Sequence, residues 1–364
     1  MRQTLKFTVL LALTCALLWW FARGVEWGQV SAEVAGVNLW LIACAVAAVC
    51  ATYFVRALRW RTLLAPLAPA GLNSLVAATT VGFGAVFLIG RAGEVVRPAF
   101  LPLAERRVKP AASFVTIGVE RIYDISAVVL LFAFNLIWFR APGGDPAAYA
   151  QVRRAGLVML AAAVAGIVSL VLFRGRAPRL IAWLDVKLAR APRLVRRAGG
   201  VFTHLLEQLA GALVVLTDAR ALAVTAGQTV LLWGLIGVAN FCVMRAFNLD
   251  FGPAEAIFVM GWALVGSLVP TPGGAAGAFH VATARGLALL GVAAAKATAV
   301  SIILHLVVFG PAVFLGLYFF LRSDVKLSNL RRGAAARDAQ DAAAASGDAG
   351  ARLAGEETPV SVAR

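Results

Sequence analysis

Apolar runs of membrane-spanning length recur along almost the whole chain, separated by short polar stretches in which arginine and lysine outnumber acids. A helix needs roughly 20 mainly apolar residues to cross a bilayer. Runs near that length fall at Phe7–Ala22, Val37–Ala57, Leu72–Ile89, Pro110–Phe139, Ala155–Phe173, Ala221–Phe247 and Ala297–Leu321, with shorter arms at Pro253–Val269 and Ala275–Val292. The pattern predicts an all-α fold: a polytopic membrane helical bundle of about six full spans plus two helix-broken re-entrant hairpins, or up to eight or nine apolar segments.

The hairpin reading rests on two runs that differ from the rest. Leu72–Ile89 contains Gly82 and Gly84 and ends at Gly90-Arg91-Ala92-Gly93-Glu94-Val95-Val96-Arg97-Pro98. It is flanked by Arg56, Arg59 and Arg61 on one side and by Arg106, Arg107 and Lys109 on the other. Basic flanks belong in the cytoplasm, so the charges favour a segment that enters and returns over one that crosses. Further on, Pro270-Thr271-Pro272-Gly273-Gly274 interrupts an apolar stretch, and two prolines with two glycines do not continue a helix. Broken segments entering from opposite sides point to an inverted repeat and a mid-membrane site. No internal self-similarity is strong enough to prove such a repeat.

Composition narrows the class. The chain has 364 residues, 61% hydrophobic, and a formal charge of +16, with a mean hydropathy of +0.84. That is far from a soluble domain, and nothing resembles a nucleic-acid-binding module, so no nucleic acid partner is expected. The basic bias reads as positive-inside loops facing anionic or phosphate-bearing membrane lipids. The first run follows Arg2 and Lys6 and lacks a clean cleavage signal, so it is read as an uncleaved span. Both termini are predicted to be cytoplasmic. Residues 1–323 form one transmembrane domain, and 324–364, rich in Ala, Gly and Asp, form a disordered cytoplasmic tail. Within the domain, 174–220 carries nine basic against three acidic residues. Its apolar face of Leu180, Ile181, Trp183, Leu184 and Leu188 suits a helix lying in the interface or one packed under the bundle. The four cysteines lie inside apolar runs without a CxxC pair, so neither a disulfide framework nor a zinc site is indicated.

Candidate chemistry lies where polar groups meet the apolar runs. Ionisable residues at such depth are costly and functional by default. On a helix Arg91, Glu94 and Arg97 fall at i, i+3 and i+6, which lets Glu94 reach both arginines. Glu120 and Asp124 share a face at i, i+4, with Arg121 beside them; they read either as a structural ion network or as part of a transport path. Gly273 and Gly274 turn the chain, and their backbone N–H groups offer an anion site. His280 and His305 lie in apolar segments and read as satisfied core residues or as a proton-coupled switch. The candidate head-group site is therefore Arg91, Glu94, Arg97, Glu120, Arg121, Asp124, Gly273, Gly274 and His280. No metal or other cofactor is expected, and HExxH, GxSxG, Walker and Asp-rich diphosphate motifs are absent from the sequence.

Four motifs in order carry a more specific resemblance: Arg56-x-x-Arg59-Trp60; Gly90-Arg91-x-Gly93-Glu94-Val95-x-Arg97; Val119-Glu120-Arg121-x-x-Asp124; and Pro270-Thr271-Pro272-Gly273-Gly274. Together, over about Leu5 to Ser323, the chain resembles the lysylphosphatidylglycerol synthase transmembrane family, also called flippase-like integral membrane proteins. The resemblance implies a multi-pass bacterial inner-membrane protein that moves or modifies polar lipids, with a lipid-synthesising enzyme as a possible partner. Two departures limit it. Many members carry a Glu shortly after the Pro-Gly-Gly break, where this chain reads Gly277-Ala278-Phe279-His280. The stretch after Leu321 does not resemble an aminoacyl-transfer domain, so lysyl transfer is not carried over. The leading expectation is a protein that flips a polar or phosphate-bearing lipid. The alternatives are a lipid-modifying enzyme or accessory subunit in polyprenyl, hopanoid-type or glycolipid metabolism, and a non-catalytic scaffold.

Overall fold

The structure, a computed structural model, describes residues 25–138 and 219–323 without interruption and isolated positions elsewhere. The Phe7–Ala22 run, the Pro142–Pro146 loop, most of Ala155–Arg220 and the tail beyond 323 lie outside the described residues. By its contacts the chain divides into Met1–Phe320 and Leu321–Arg364, and nearly all described residues fall in the first unit.

Among the described residues every regular element is helical: α1 (Trp27–Ala35), α2 (Leu39–Leu64), α3 (Leu72–Ile89), a 3₁₀ turn (Gly90–Val95), α4 (Val96–Ala104), α5 (Pro110–Trp138), α6 (Ala219–Ala246), α7 (Pro253–Gly266), α8 (Ala278–Leu289) and α9 (Ala294–Arg322). Helices α2, α3, α6 and α9 are each long and apolar enough to cross a membrane. The all-α polytopic bundle expected from the sequence is what forms.

Helices α2 and α6 run antiparallel. The Asn38 N–H donates to Ala246 O (3.1 Å) at one end, and Gln228 Nε2 donates to Thr62 Oγ1 (3.4 Å) near the other. Asn38 also caps α2, its side chain accepting from Trp40 N at 3.0 Å. Such a cap satisfies an N–H that the helix itself leaves free. The apolar core joins α2 and α6 to α7, α8 and α9, through residues such as Val49, Met244, Val259, Phe279 and Val300.

Two hairpins are set into this frame. The first is α3 and α4, with the 3₁₀ turn between them. A Cβ built on Gly82 would lie 2.4 Å from Arg97 Cβ, and one on Gly93 would lie 2.4 Å from the Ala85 and Val86 backbone. The chain therefore doubles back on itself, and Gly71 N–H to Glu105 Oε2 (3.4 Å) closes the open end. The turn is made at Gly90, whose φ of +65° is open to glycine at little cost. Gly82 and Gly84 do not break the helix, contrary to the expectation from their position. They are contact points: Gly82 admits Arg97, and Gly84 lies against Ala312 O, where a Cβ would meet it at 3.0 Å. Small residues let helix backbones approach in this way within a membrane bundle.

The second hairpin is α7 and α8. Gly266 packs against Ala278 and Phe279, and Gly286 against the Trp262 ring. Pro272–Ala275 between them is a short left-handed turn, with φ of +73°, +64° and +62° at Gly273, Gly274 and Ala275. Only glycine takes that region freely, so the sequence spends its two glycines there, and Ala275 carries a strain of roughly 1–2 kcal/mol. The two tips touch: a Cβ on Gly90 would lie 3.2 Å from Thr271 O.

Candidate functional site

Five charged side chains from three helices form one buried cluster. Helix α2 supplies Arg56 and Arg59 at i and i+3, hence on neighbouring positions of one face. Helix α5 supplies Glu120 and Asp124 at i and i+4, and α4 supplies Arg97. Arg59, with no exposed surface, is the hub. Its Nη2 donates to Glu120 Oε1 (2.9 Å) and its Nη1 to Asp124 Oδ1 (2.8 Å) and Thr229 Oγ1 (3.0 Å). Arg97 Nη1 donates to the same Glu120 Oε1 at 2.8 Å, and Arg56 Nη1 lies 3.5 Å from Asp124 Oδ2.

Aromatic rings complete the packing. The Arg97 guanidinium lies 4.5 Å from the centroid of the Trp60 ring, and that of Arg56 4.9 Å from Phe83. Stacking of this kind suits a planar, weakly hydrated cation. Trp60 is itself fixed, since Nε1 donates to Thr116 Oγ1 at 2.9 Å.

The electrostatic balance is uneven. Three guanidinium groups face two carboxylates, which leaves one positive charge inside the bundle. Hydrogen-bonding capacity is also left over: Arg97 Nε and Nη2, Arg59 Nε and Glu120 Oε2 are buried and find no partner among the described residues. Buried polar atoms are ordinarily satisfied, so these four atoms of Arg59, Arg97 and Glu120 are an unusual concentration of unmet hydrogen-bonding capacity.

Glu94 does not pair with Arg97. The 3₁₀ turn takes it out of helical register with Arg97, and its carboxylate instead lies 3.7 Å from Arg121 Nη2, both side chains being about two-fifths exposed (39% and 42%). Arg121 is thus separated from the cluster that its neighbour Glu120 anchors. Of Arg91, only the backbone is described. Arg56 and Arg59, read from sequence as a basic helix end, are the residues that reasoning left out of the site. Their i, i+3 spacing beside Trp60 was the available signal.

Gly273, Gly274 and His280 lie elsewhere, at the tip of the second hairpin. His280 Nδ1 accepts from Gly277 N (3.2 Å) and His305 Nε2 lies 3.2 Å from Gly274 O, so His305 donates there. The two imidazoles are 4.7 Å apart between centroids, and the rings of Phe87, Phe279 and Phe309 surround His305. Beside the half-exposed Glu94–Arg121 pair, the candidate residues therefore form two groups. Arg97, Glu120 and Asp124 join the ionic cluster, while Gly273, Gly274 and His280 join an uncharged, aromatic one. Groups of three or more His, Cys, Asp or Glu able to hold a metal are absent among the described residues.

A helical bundle with membrane-length spans, broken hairpins meeting at their tips and ion pairs buried in its interior is a multi-pass integral membrane protein. Its sequence matches the lysylphosphatidylglycerol synthase TM region over residues 7–316. The chain belongs to that family, and with it to the integral membrane proteins related to lipid metabolism. A search of curated proteins finds no match.

Proposed function

We propose that this protein binds a phosphate-bearing lipid at the buried arginine cluster and carries its head group across the bilayer. The observation that carries the reading is the open face of Arg97: a buried guanidinium, one N–H given to Glu120, with Nε and Nη2 unpartnered and an uncompensated positive charge around it. A guanidinium presents two parallel N–H donors to a phosphate and stays charged when partly desolvated. A bound phosphate offsets the excess charge. When it leaves, Glu120 and Asp124 still hold Arg59 and Arg97, so no arginine is left wholly unpaired in the membrane. That near-balance in both states is what a release step requires. The half-exposed Arg121–Glu94 pair is a site of first contact rather than of tight binding.

The test is transbilayer movement of fluorescent phosphatidylglycerol in liposomes, read by dithionite protection. Arg97→Ala removes charge-assisted hydrogen bonds of about 1.5–3 kcal/mol and slows movement by roughly ten- to a hundredfold. Arg97→Lys, which keeps the charge but loses the fork, falls closer to Ala than to wild type. Wild-type rates in both variants, shown to be folded in detergent, would overturn the transport reading and leave the charges a structural role.

A further inference from the structure

The second hairpin tip contains two histidines that the lipid reading leaves unused. His280 of α8 and His305 of α9 are 7% and 6% exposed, with ring centroids 4.7 Å apart. Their hydrogen bonds differ, and the difference decides which of them can take up a proton.

His280 is committed to one neutral form. Its Nδ1 accepts from Gly277 N–H at 3.2 Å, at the start of α8. A neutral imidazole that accepts at one nitrogen carries its proton on the other, so the proton is on Nε2. A second proton at Nδ1 would set two donors face to face and strip this partner from the Gly277 N–H.

His305 is placed the other way. Its Nε2 donates to Gly274 O (3.2 Å), and the Gly273 backbone accepts at the same ring. What the left-handed turn shows this imidazole is carbonyl oxygen. A proton added at Nδ1 keeps the Gly274 bond and makes it charge-assisted, roughly twice as strong as a neutral one. The Phe309 and Phe279 rings, with centroids at 4.8 and 5.0 Å, lie at the range of a cation–π contact, and Phe87 at 6.1 Å completes the enclosure.

The other ionisable groups of the surrounding elements are spaced away or already engaged. Helix α3 and the turn at 270–276 have none. Glu255 of α7 accepts from Gly252 N–H at the opposite end of its helix, and Arg285 of α8 is exposed. Lys296 of α9 pairs with Glu33. From α2, Tyr53 Oη donates to Val308 O, and Arg56 lies over Phe83. The 3₁₀ turn brings Arg91 and Glu94, of which Glu94 pairs with Arg121. The titratable ring facing His305 is therefore His280. Like charges at that separation repel, so the pair takes one proton rather than two.

We infer that the second hairpin and α9 form a proton-binding site, in which one proton from water is taken at Nδ1 of His305 while His280 stays neutral and keeps its bond to Gly277. The site is separate from the arginine cluster and does not depend on a lipid binding there. Protonation ties the turn more tightly to α9, and loss of the proton loosens it. Thr271 of the same turn touches Gly90, so the proton sits where the two hairpins meet.

The chain has three histidines, and His204→Gln removes the third. The full chain with that change, labelled with nitrogen-15 at histidine, is placed in nanodiscs of phosphatidylglycerol and phosphatidylethanolamine. Its imidazole signals are followed by NMR from about pH 4 to about pH 9, a window around the reference histidine value of about 6.5. His280→Gln and His305→Gln, each shown to be folded by melting in detergent, assign them. One ring, His305, is expected to pass from one protonated nitrogen to two, while His280 keeps a protonated Nε2 and an accepting Nδ1 throughout. His305→Gln retains a donor for Gly274 O and abolishes the titration. Hydrogen exchange of the 271–277 amides, corrected for its intrinsic pH dependence, is about tenfold slower in the protonated state of the wild type, as one strengthened bond requires. In His305→Gln that ratio is near unity. The inference is overturned if neither histidine changes in the window, if both do, or if His280 changes in place of His305. A wild-type exchange ratio in His305→Gln also overturns it.

Discussion

The first hairpin turns through a charged sequence and sends Arg97 into a cluster shared with α2 and α5. The second turns through Pro270–Ala276 without a formal charge. Its polar atoms are met close by: Thr271 Oγ1 donates to Ala276 O, His280 accepts from Gly277, and His305 of α9 donates to Gly274 O. Both tips place irregular backbone inside an apolar bundle, and they touch at Gly90 and Thr271. The difference lies in where the satisfying partners come from. In the first hairpin they are distant in sequence and ionic; in the second they are mostly local and neutral, with a single helix added. A charged turn is therefore tied to the integrity of the bundle, and a neutral one is tied to its own geometry.

This contrast orders the expected effects of substitution. Arg59→Ala or Glu120→Ala strands a buried charge and costs about 3–5 kcal/mol. In a detergent melt either variant shows the largest loss of stability, and poor accumulation in the membrane accompanies it. Wild-type melting in both would mean that the cluster does not support the first hairpin at all. Next comes Gly93→Ala, which sets a Cβ 2.4 Å from the backbone of Ala85 and Val86. Helix α3 must move away, at about 1–3 kcal/mol as for other overpacked sites, and a melt reports it directly.

In the second hairpin Gly274→Ala meets the Phe309 ring at 2.9 Å and keeps a φ of +64°. The contact is with Cγ and both Cδ atoms at the root of the ring, so displacing Phe309 adds to the left-handed strain of roughly 1–2 kcal/mol. A double-mutant cycle with Phe309→Leu isolates the ring contact, and coupling near zero would show that the backbone conformation alone sets the cost. Exchanging the charges of the half-exposed Glu94 and Arg121 is the smallest change, within about 1 kcal/mol for a solvent-screened pair. Melting should stay near wild type. A large loss there would place this pair in the buried cluster and erase the distinction drawn here.

How much of this was legible in the sequence depends on the range of the forces involved. Apolar length and proline-glycine breaks are local, so the membrane-length helices α2, α3, α6 and α9 and the Pro270–Gly274 turn are legible directly. So is the pairing of Glu120 with Asp124 on one face, because helical spacing alone dictates it. The sequence position of Gly82 and Gly84 suggests breaks, but a glycine's role is decided by what approaches it. Arg97 and Ala312 are distant partners that no local pattern reveals. Arg56 and Arg59 escaped for another reason: basic residues toward the end of an apolar run also mark a cytoplasmic helix end. Only the arrival of α5 against α2 turns that end into an interior. The register of Glu94 was lost to one dihedral angle, at Gly90.

The bond pattern of Arg59 also has a meaning in time. Its carboxylate partner Glu120 lies 61 residues further along the chain, and Thr229 lies 170 residues further. At about 5–20 residues per second, synthesis takes roughly 10–30 s to cover the longer separation. Until α5 emerges, α2 holds two guanidinium groups with no counter-ion from this cluster, each costing about 2.5–3.5 kcal/mol if carried to the bilayer centre. Helix α2 is apolar enough to cross a membrane, and its two guanidinium groups gain carboxylate partners from this cluster only once α5 has been made. The cluster is therefore completed late in synthesis, its carboxylates arriving with α5 and its last hydrogen-bond acceptor, Thr229, with α6.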